Sequence, residues 1–387
     1  MHELLNNIRE TGHAAPYSHS NGDRGSAKEF VTPVEPSGCE LHAILDTLRG
    51  LEGTSREAVL ATVVQVTGSV YRRPGARMLL LRDGSRVGCI AGPHVEAEII
   101  QHAWWLTEAG TPVVRNYGAA SILLERVGSP ELSRLSAFLN HHRSAGTPAV
   151  VATVVDLGNV QSARVGDRLL LDESWARTGA LVGSPMEAQV LTHASAALRE
   201  KKSRFARLGG AAVFVEWIGP PLSVIVIGGG RDAGPLVQLG RQLGWAVNLT
   251  EASVGADALN GLTIDSNTAV VLMTHNYSVD SRLLPRVVER RPFYLGILGP
   301  RSRAEKLFAE TGVNPGPNIC APAGLDIGGE TPEAIAVSIA AEIQAKSCHR
   351  SGGPLKRRRG EIHAPTAEKG LAAEEAEQLG SRLSLAH

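Results

Sequence analysis

The chain has 387 residues, with 39 basic and 39 acidic side chains in balance and 43% hydrophobic residues. That length corresponds to two or three domains with ample apolar material for a core. Zero net charge gives no electrostatic case for a nucleic-acid partner, and no run reaches the roughly 18 apolar residues that a membrane span needs.

Residues 1–38 are rich in Gly, Ser, Asn, Pro and His and lack an apolar signal core, so they read as a disordered segment. Cys39, Cys89, Cys320 and Cys348 show no Cys-x-x-Cys spacing. They read as free thiols of a reducing, cytoplasmic compartment rather than staples or a zinc site.

Residues 39–220 read as an α+β region built from an internal repeat. Ala58-Val59-Leu60-Ala61-Thr62-Val63-Val64 recurs 91 positions later as Ala149-Val150-Val151-Ala152-Thr153-Val154-Val155. At the same offset Arg73, Gly75 and Arg77 meet Arg164, Gly166 and Arg168, and Gly92, Glu96 and His102 meet Gly183, Glu187 and His193. The copies, about 58–103 and 149–194, each predict strand, loop, strand, turn, strand and helix. Two copies are too few for a solenoid.

The copies differ in their first loop. Copy one has Thr67-Gly68-Ser69-Val70-Tyr71-Arg72-Arg73-Pro74-Gly75, whereas copy two has Gly158-Asn159-Val160-Gln161-Ser162-Ala163. Copy one is therefore expected to face a ligand, with Arg72 and Arg73 as contacts, and copy two to act as scaffold. Gly92-Pro93-His94-Val95-Glu96 follows a strand and opens a helix. His94 and Glu96 there could hold an anion or a metal-oxo group, while the recurrence of Glu187 fits a plain first-turn carboxylate equally well. His141-His142 reads as a solvated pair on a polar helix. The sequence shows no Ser/His/Asp set, no P-loop and no metal-ligand spacing.

Gly219-Pro220-Pro221 marks a boundary, since proline cannot continue a sheet interior. Residues 222–346 then follow the pattern of a Rossmann-like, doubly wound parallel sheet. Val224-Ile225-Val226-Ile227 runs into Gly228-Gly229-Gly230-Arg231-Asp232-Ala233, a Gly-x-Gly-x-x-Ala turn that opens a helix. The next strand, Ala246-Val247-Asn248-Leu249, ends at Glu251. Glycines let the backbone approach a phosphate, the helix start adds donors, and an acid at the second strand suits ribose hydroxyls. Strands at 269–273 and 293–298 bring Thr274, His275, Gly299, Arg301 and Arg303 to the same edge. A loop through Ala321-Pro322 and Asp326 lies over it. The candidate ligand contacts are thus Gly228, Gly230, Arg231, Asp232, Glu251, Thr274, His275, Gly299, Arg301 and Asp326, with Arg72 and Arg73 closing from the first region. The last helix begins at Thr331-Pro332-Glu333. Residues 347–387 read as a disordered, solvated tail despite the basic run Lys356 to Arg359.

These pieces together resemble the xanthine dehydrogenase accessory (XdhC/CoxI) family, the maturation factors of molybdenum hydroxylases. The resemblance rests on Thr67-Gly68-Ser69 with Arg73 to Met78, Gly92 to Glu96, Gly228 to Ala233, Met273-Thr274-His275, Gly296 to Arg301, and Ala321-Pro322 with Gly324 to Gly328. It implies a chaperone rather than a catalyst of turnover. Such a chaperone binds molybdenum cofactor, as molybdopterin or its dinucleotide, and assists its sulfuration or its insertion into an apo xanthine dehydrogenase-type enzyme. A cysteine desulfurase and a second copy of the chain are the further partners implied. A NAD(P)-dependent oxidoreductase or a nucleotide-sensing regulatory protein is the alternative. The chain departs from the family at its thiols. His94 stands where the Gly-Gly-Cys-x-Glu motif has cysteine, Tyr117-Gly118-Ala119-Ala120-Ser121 replaces Gly-Cys-Gly-Gly, and Arg231 replaces a histidine.

Overall fold

The computed structural model describes residues 40–67, 72–251 and 259–357. The expected N-terminal segment, the tip of the basic loop at 68–71 and the tail from 358 onward lie outside the described residues. Of the expected tail, residues 347–357 are described, and Leu355–Arg357 forms a single 3-10 turn.

Helix α1 (Glu40–Leu51) leads into strands β1 (Ala58–Val66), β2 (Arg77–Leu81) and β3 (Arg86–Gly88), helix α2 (Pro93–Leu106), and the hairpin β4 (Val113–Tyr117) and β5 (Ala120–Arg126). Helix α3 (Pro130–Ala145) follows, with Ser129 capping it by accepting from the Leu132 N–H. The second set is β6 (Ala149–Asp156), β7 (Arg168–Asp172), β8 (Arg177–Thr178), α4 (Glu187–Glu200), β9 (Arg204–Leu208) and β10 (Ala211–Ile218). Both sheets are antiparallel, in the orders β3-β2-β1-β5-β4 and β8-β7-β6-β10-β9. The correspondence runs past the matched sequence. Strands β4 and β9, and β5 and β10, begin at the same 91-residue offset, where little identity survives. Burial pattern and hairpin geometry preserve the unit after the residues have drifted.

Each sheet buries one face under its own helix. Ile99 and Ala103 of α2 cover Val59, Ala61 and Val63, and Val190, Ala194 and Ala197 of α4 cover Val150, Ala152 and Val154. The other faces meet one another. Val64 and Leu123 of the first sheet pack against Val155, Ala212 and Phe214 of the second, and α1 and α3 close the side through Leu45, Leu48, Leu135 and Leu139.

Two buried ion pairs cross between the sheets. Arg77 on β2 binds Glu216 on β10 through both guanidinium nitrogens, at 2.9 and 2.5 Å. Arg168 on β7 binds Glu125 on β5 at 2.6 Å. Arg77 and Arg168 are equivalent in the repeat, as are Glu125 and Glu216, so the pairs are reciprocal, the signature of a two-fold relation. Each arginine also donates to the carbonyl of the glycine two positions earlier, Gly75 and Gly166. A side chain at Gly75 would strike Glu216 Oε1, which is why a glycine sits there at φ +97°.

Gly219-Pro220-Pro221 joins β10 to β11 (Ser223–Ile227). Then come α5 (Ala233–Gln242), β12 (Ala246–Thr250), β13 (Thr268–Leu272), α6 (Tyr277–Glu289), β14 (Tyr294–Ile297), α7 (Arg301–Thr311), β15 (Ile319–Cys320) and α8 (Pro332–Ser347). This sheet is parallel throughout, in the order β12-β11-β13-β14-β15. Alternate residues face opposite ways. Val224 and Val226 meet α5 and α8, while Ile225 and Ile227 meet α6 and α7. The strands are accordingly near-continuous runs of Val, Ile and Leu, as a sheet covered on both faces requires. Thr331 caps α8 and Pro332 takes its first position, as the sequence predicts.

The joint between the two halves encloses about 270 Å³, lined by Leu41, His42, His142, Pro221, Leu243 and Trp245 among others. His142 is not solvated as expected. It is buried, with its ring against Phe138 and its Nδ1 2.7 Å from Thr147 Oγ1. His141 is the exposed member, because consecutive helical positions point about 100° apart.

Two outcomes follow. Replacing Glu125 by Ala strands a buried guanidinium and should cost about 3–5 kcal/mol in chemical denaturation. Replacing Arg168 and Glu125 together by Met and Leu should recover most of that loss, and a double variant no better than the single would contradict the pairing. Burial, followed by the neighbouring His141 charge, holds His142 below its usual value of 6.5. The unfolded chain therefore binds a proton first, so stability is fully present above 6.5 and declines as the pH falls below it. Thermal unfolding between about pH 7 and pH 5 should show this decline, and His142→Gln should flatten it.

Candidate functional site

The candidate residues fall into two places. The first is an open groove of about 570 Å³ in copy one, lined by Arg86, Cys89, Ala91, Gly92, Pro93, Glu96, Ala97 and Ile100. Glu96 is buried and accepts from the Ile90 and Ala91 N–H groups at 3.0 and 3.4 Å, and Arg86 lies 3.5 Å away. Copy two repeats the arrangement. Glu187 accepts from the Gly183 N–H at 2.6 Å and binds Arg177, the equivalent of Arg86. Glu96 is therefore half of a latch that secures the turn before α2, the plainer of its two expected roles. His94 is exposed on the first turn of that helix.

The side chain of Cys89 also lines the groove. Burial, and then Glu96, pushes its thiol up from its usual value, away from the thiolate form. Burial likewise pushes Cys320 up to about 12. Arg72 is bound to Glu40 at the start of α1. That helix touches the joint through Leu41, against Leu222 and Trp245, at the amino edge of the parallel sheet. This edge is opposite the crevice described next, so Arg72 does not close over it, and its neighbour Arg73 belongs to the same segment.

The second place is the carboxyl edge of the parallel sheet. Here the strands are stitched one to three residues beyond their ends. Gly228 donates to Thr250 at 2.9 Å, Met273 to Ile227 at 2.8 Å, Leu298 to Leu272 at 3.0 Å and Ala323 to Ile297 at 3.0 Å. The loops carrying Gly228 to Asp232, Glu251, Thr274 to Asn276, and Gly299 to Arg301 therefore leave at one level. Strand order reverses between β11 and β13, where α/β sheets place their ligands.

The glycines serve different ends. A Cβ at Gly228 would lie 2.3 Å from the Met273 carbonyl oxygen, so this glycine lets two strands' exits pass each other. A Cβ at Gly229 would sit 3.9 Å from Glu251 Cγ, and one at Gly230 would sit 3.4 Å from the His275 ring. Gly229 and Gly230 are exposed. The turn is thus flanked by a carboxylate on one side and an imidazole on the other. His275 Nε2 lies 3.1 Å from Asp232 Oδ2, and His275 holds a left-handed φ of +53°. Such a backbone in a non-glycine residue recurs at functional sites.

A support invisible in the sequence lies beneath. Asp280, almost fully buried on α6, accepts from Thr274 Oγ1 at 2.6 Å and pairs with Arg303 at 2.7 Å. Arg303, expected to face a ligand, is instead committed to this carboxylate, which fixes the loop holding His275. Arg301 remains exposed at the start of α7, beside Gly299 with its φ of +129°. Asp326 is exposed just beyond Leu325, whose N–H and carbonyl are both held by Ser338 on α8. The backbone N–H groups of the turn, His275 and Arg301 make a donor set suited to phosphate oxygens, while the Thr274 hydroxyl is spent on Asp280.

Among the described residues no helix is long and apolar enough to cross a membrane. Comparison with known proteins matches residues 224–343 to the XdhC Rossmann domain, and 53–118 with 142–209 to the XdhC and CoxI family. A probable xanthine dehydrogenase subunit of Bacillus subtilis (strain 168) is 27% identical over 337 residues, 78% of this chain and 96% of that protein. The molybdenum cofactor insertion chaperone PaoD of Escherichia coli (strain K12) is 26% identical over 306 residues, 77% of this chain and 86% of that protein. A crystal structure described as a xanthine dehydrogenase from Bacillus halodurans is 24% identical and superposes with a TM-score of 0.63 over 83% of this chain and 98% of its own. It shares the fold. With both halves matched in order, the chain belongs to the XdhC and CoxI family.

Proposed function

We propose that this protein is a maturation factor for a molybdenum hydroxylase, which holds molybdenum cofactor as cargo and passes it to the apo-enzyme in the cytoplasm. The reading is carried by the crevice at the carboxyl edge of the parallel sheet, where the Gly228 to Asp232 turn lies against His275 and Arg301 is exposed at the start of α7 on the same edge. The kinship with a cofactor insertion chaperone supports molybdenum cofactor as the cargo of that donor set. Phosphate is the part of the cofactor these donors suit. Insertion fits better than sulfuration, because His94, which stands in the place of the family cysteine, cannot carry a persulfide, and burial disfavours the Cys89 thiolate. A cysteine desulfurase is accordingly not required by this reading, and a second copy of the chain is not needed to complete the crevice.

The test is a titration of purified full-length protein with molybdenum cofactor, followed by transfer to an apo-hydroxylase. Gly230→Val fills the space above the turn and should abolish binding while leaving the melting temperature nearly unchanged. Gly228→Ala should instead destabilise the fold, since its Cβ meets backbone rather than a flexible side chain. Arg301→Ala should weaken binding about ten-fold, the loss of one charge-assisted contact, whereas Cys89→Ser should bind as the parent does. Loss of binding in Cys89→Ser with Gly230→Val unaffected would move the cargo to the groove of copy one.

A further inference from the structure

The joint between the two halves has the make-up of a binding site. It encloses about 270 Å³, whereas a single water takes up about 30 Å³. Loose packing does not explain it, because α1 and α3 meet the first sheet with only about 10 Å³ left between them. The walls come from α1, the end of α3 and the turn from α5 into β12. Pro220 and Pro221 form a stiff link across it. Trp245 is seated so close to the α5 backbone that a Cβ at Gly240 would lie 3.1 Å from its ring. Leu243 lines the cavity yet is 45% exposed, so it stands at the mouth.

The polar groups in these otherwise apolar walls are few, and two of them keep free valence. His142 Nδ1 lies 2.7 Å from Thr147 Oγ1, while its Nε2 and both ring nitrogens of His42 have no hydrogen bond among the described residues. Burial holds both imidazoles below their usual value of 6.5, helped by the Arg143 charge at His42 and the His141 charge at His142. Each is therefore neutral at neutral pH, with one donor and one acceptor nitrogen. Among the described residues no carboxylate lines the cavity, so a cation finds no partner. Arg143 is spent on Asp46 at 2.6 Å and on the His42 carbonyl, so an anion finds none either. What fits is a flat, apolar ring system that both donates and accepts hydrogen bonds. The volume, just under the roughly 300–1,000 Å³ of drug-sized sites, limits it to about two fused rings. We propose that the joint binds an uncharged bicyclic nitrogen heterocycle, apart from the crevice and independently of its cargo. Ligand sites favour such places between domains. A molecule held there touches α1, α3 and the α5–β12 turn at once and so couples the two halves.

Calorimetric titration of the purified full-length protein at neutral pH tests the site, with benzimidazole, indole, benzoate and benzamidine as probes. Benzimidazole has two fused rings, one N–H and one acceptor nitrogen. Indole lacks the acceptor, and the other two carry a charge. Benzimidazole should bind about ten-fold tighter than indole, the scale of one hydrogen bond to a buried group, and the charged probes should bind weakest. His42→Phe keeps a ring in the wall and removes its nitrogens. It should erase the preference over indole and leave the melting temperature nearly unchanged. Leu243→Trp, at the exposed mouth, should weaken both uncharged probes. Gly230→Val, on the opposite edge of the parallel sheet, should bind benzimidazole as the parent does. Loss of benzimidazole binding in Gly230→Val would move the heterocycle to the crevice and overturn the joint as its site. Equal binding of all four probes, no binding of benzimidazole, or binding unaltered in both His42→Phe and Leu243→Trp would overturn the proposal. Each of these outcomes leaves the cargo reading standing, since cofactor titration decides that one.

Discussion

Two charges of each sign are buried between the antiparallel sheets, and the first half of the molecule is arranged around satisfying them. A guanidinium removed from water costs several kcal/mol unless a carboxylate meets it in good geometry. Arg77 and Arg168 lie nearly wholly inside, and so do Glu216 and Glu125. The sheets can therefore dock in one register only, since a shift along either strand would bury all four charges unpaired. Apolar packing of Val64, Leu123, Val155 and Phe214 supplies the driving force but tolerates sliding. The ion pairs supply the specificity that methyl groups lack.

The second half solves a different problem. Its parallel sheet must bring several loops to one level and leave one of them open. Backbone hydrogen bonds just past the strand ends do the levelling, and the absence of a side chain at Gly228 allows the exits of β11 and β13 to touch. Asp280, held by Thr274 and Arg303, then keeps the His275 backbone in a conformation few non-glycine residues adopt. The exposed part of the crevice is small, but it stands on groups that cannot move independently.

Much of this was legible in the residues. The parallel sheet followed from β-branched runs ending in glycine turns, because strands covered on both faces have no polar side to blur the pattern. The repeat was legible as far as identity lasted, and its last two strands were not, since β4 and β9 share almost no residues at equivalent positions. The crevice residues near the glycine turn were legible because each follows an apolar strand directly. Arg303 and Asp280 were not, because a buried ion pair between two helices leaves no spacing to read. Arg72 and Glu96 looked like ligand contacts for want of their partners, Glu40 and Arg86, which only the fold brings close. His142 was missed for a local reason: its polar helix has one buried stripe, and a pair of adjacent histidines straddles the border.

The duplicated unit carries one more consequence. When a symmetric pair of separate chains is the starting point, every substitution is made twice, once in each partner, and a site on one partner cannot be given up alone. With the halves joined through α3 that constraint is absent, while the crossed arginine and glutamate contacts hold the two-fold geometry. One half has an open groove beside α2 and a basic loop, and the other has Gly158 to Ala163 in that loop's place. A single chain is thus free to differ between its two halves, where a symmetric dimer would carry one sequence twice.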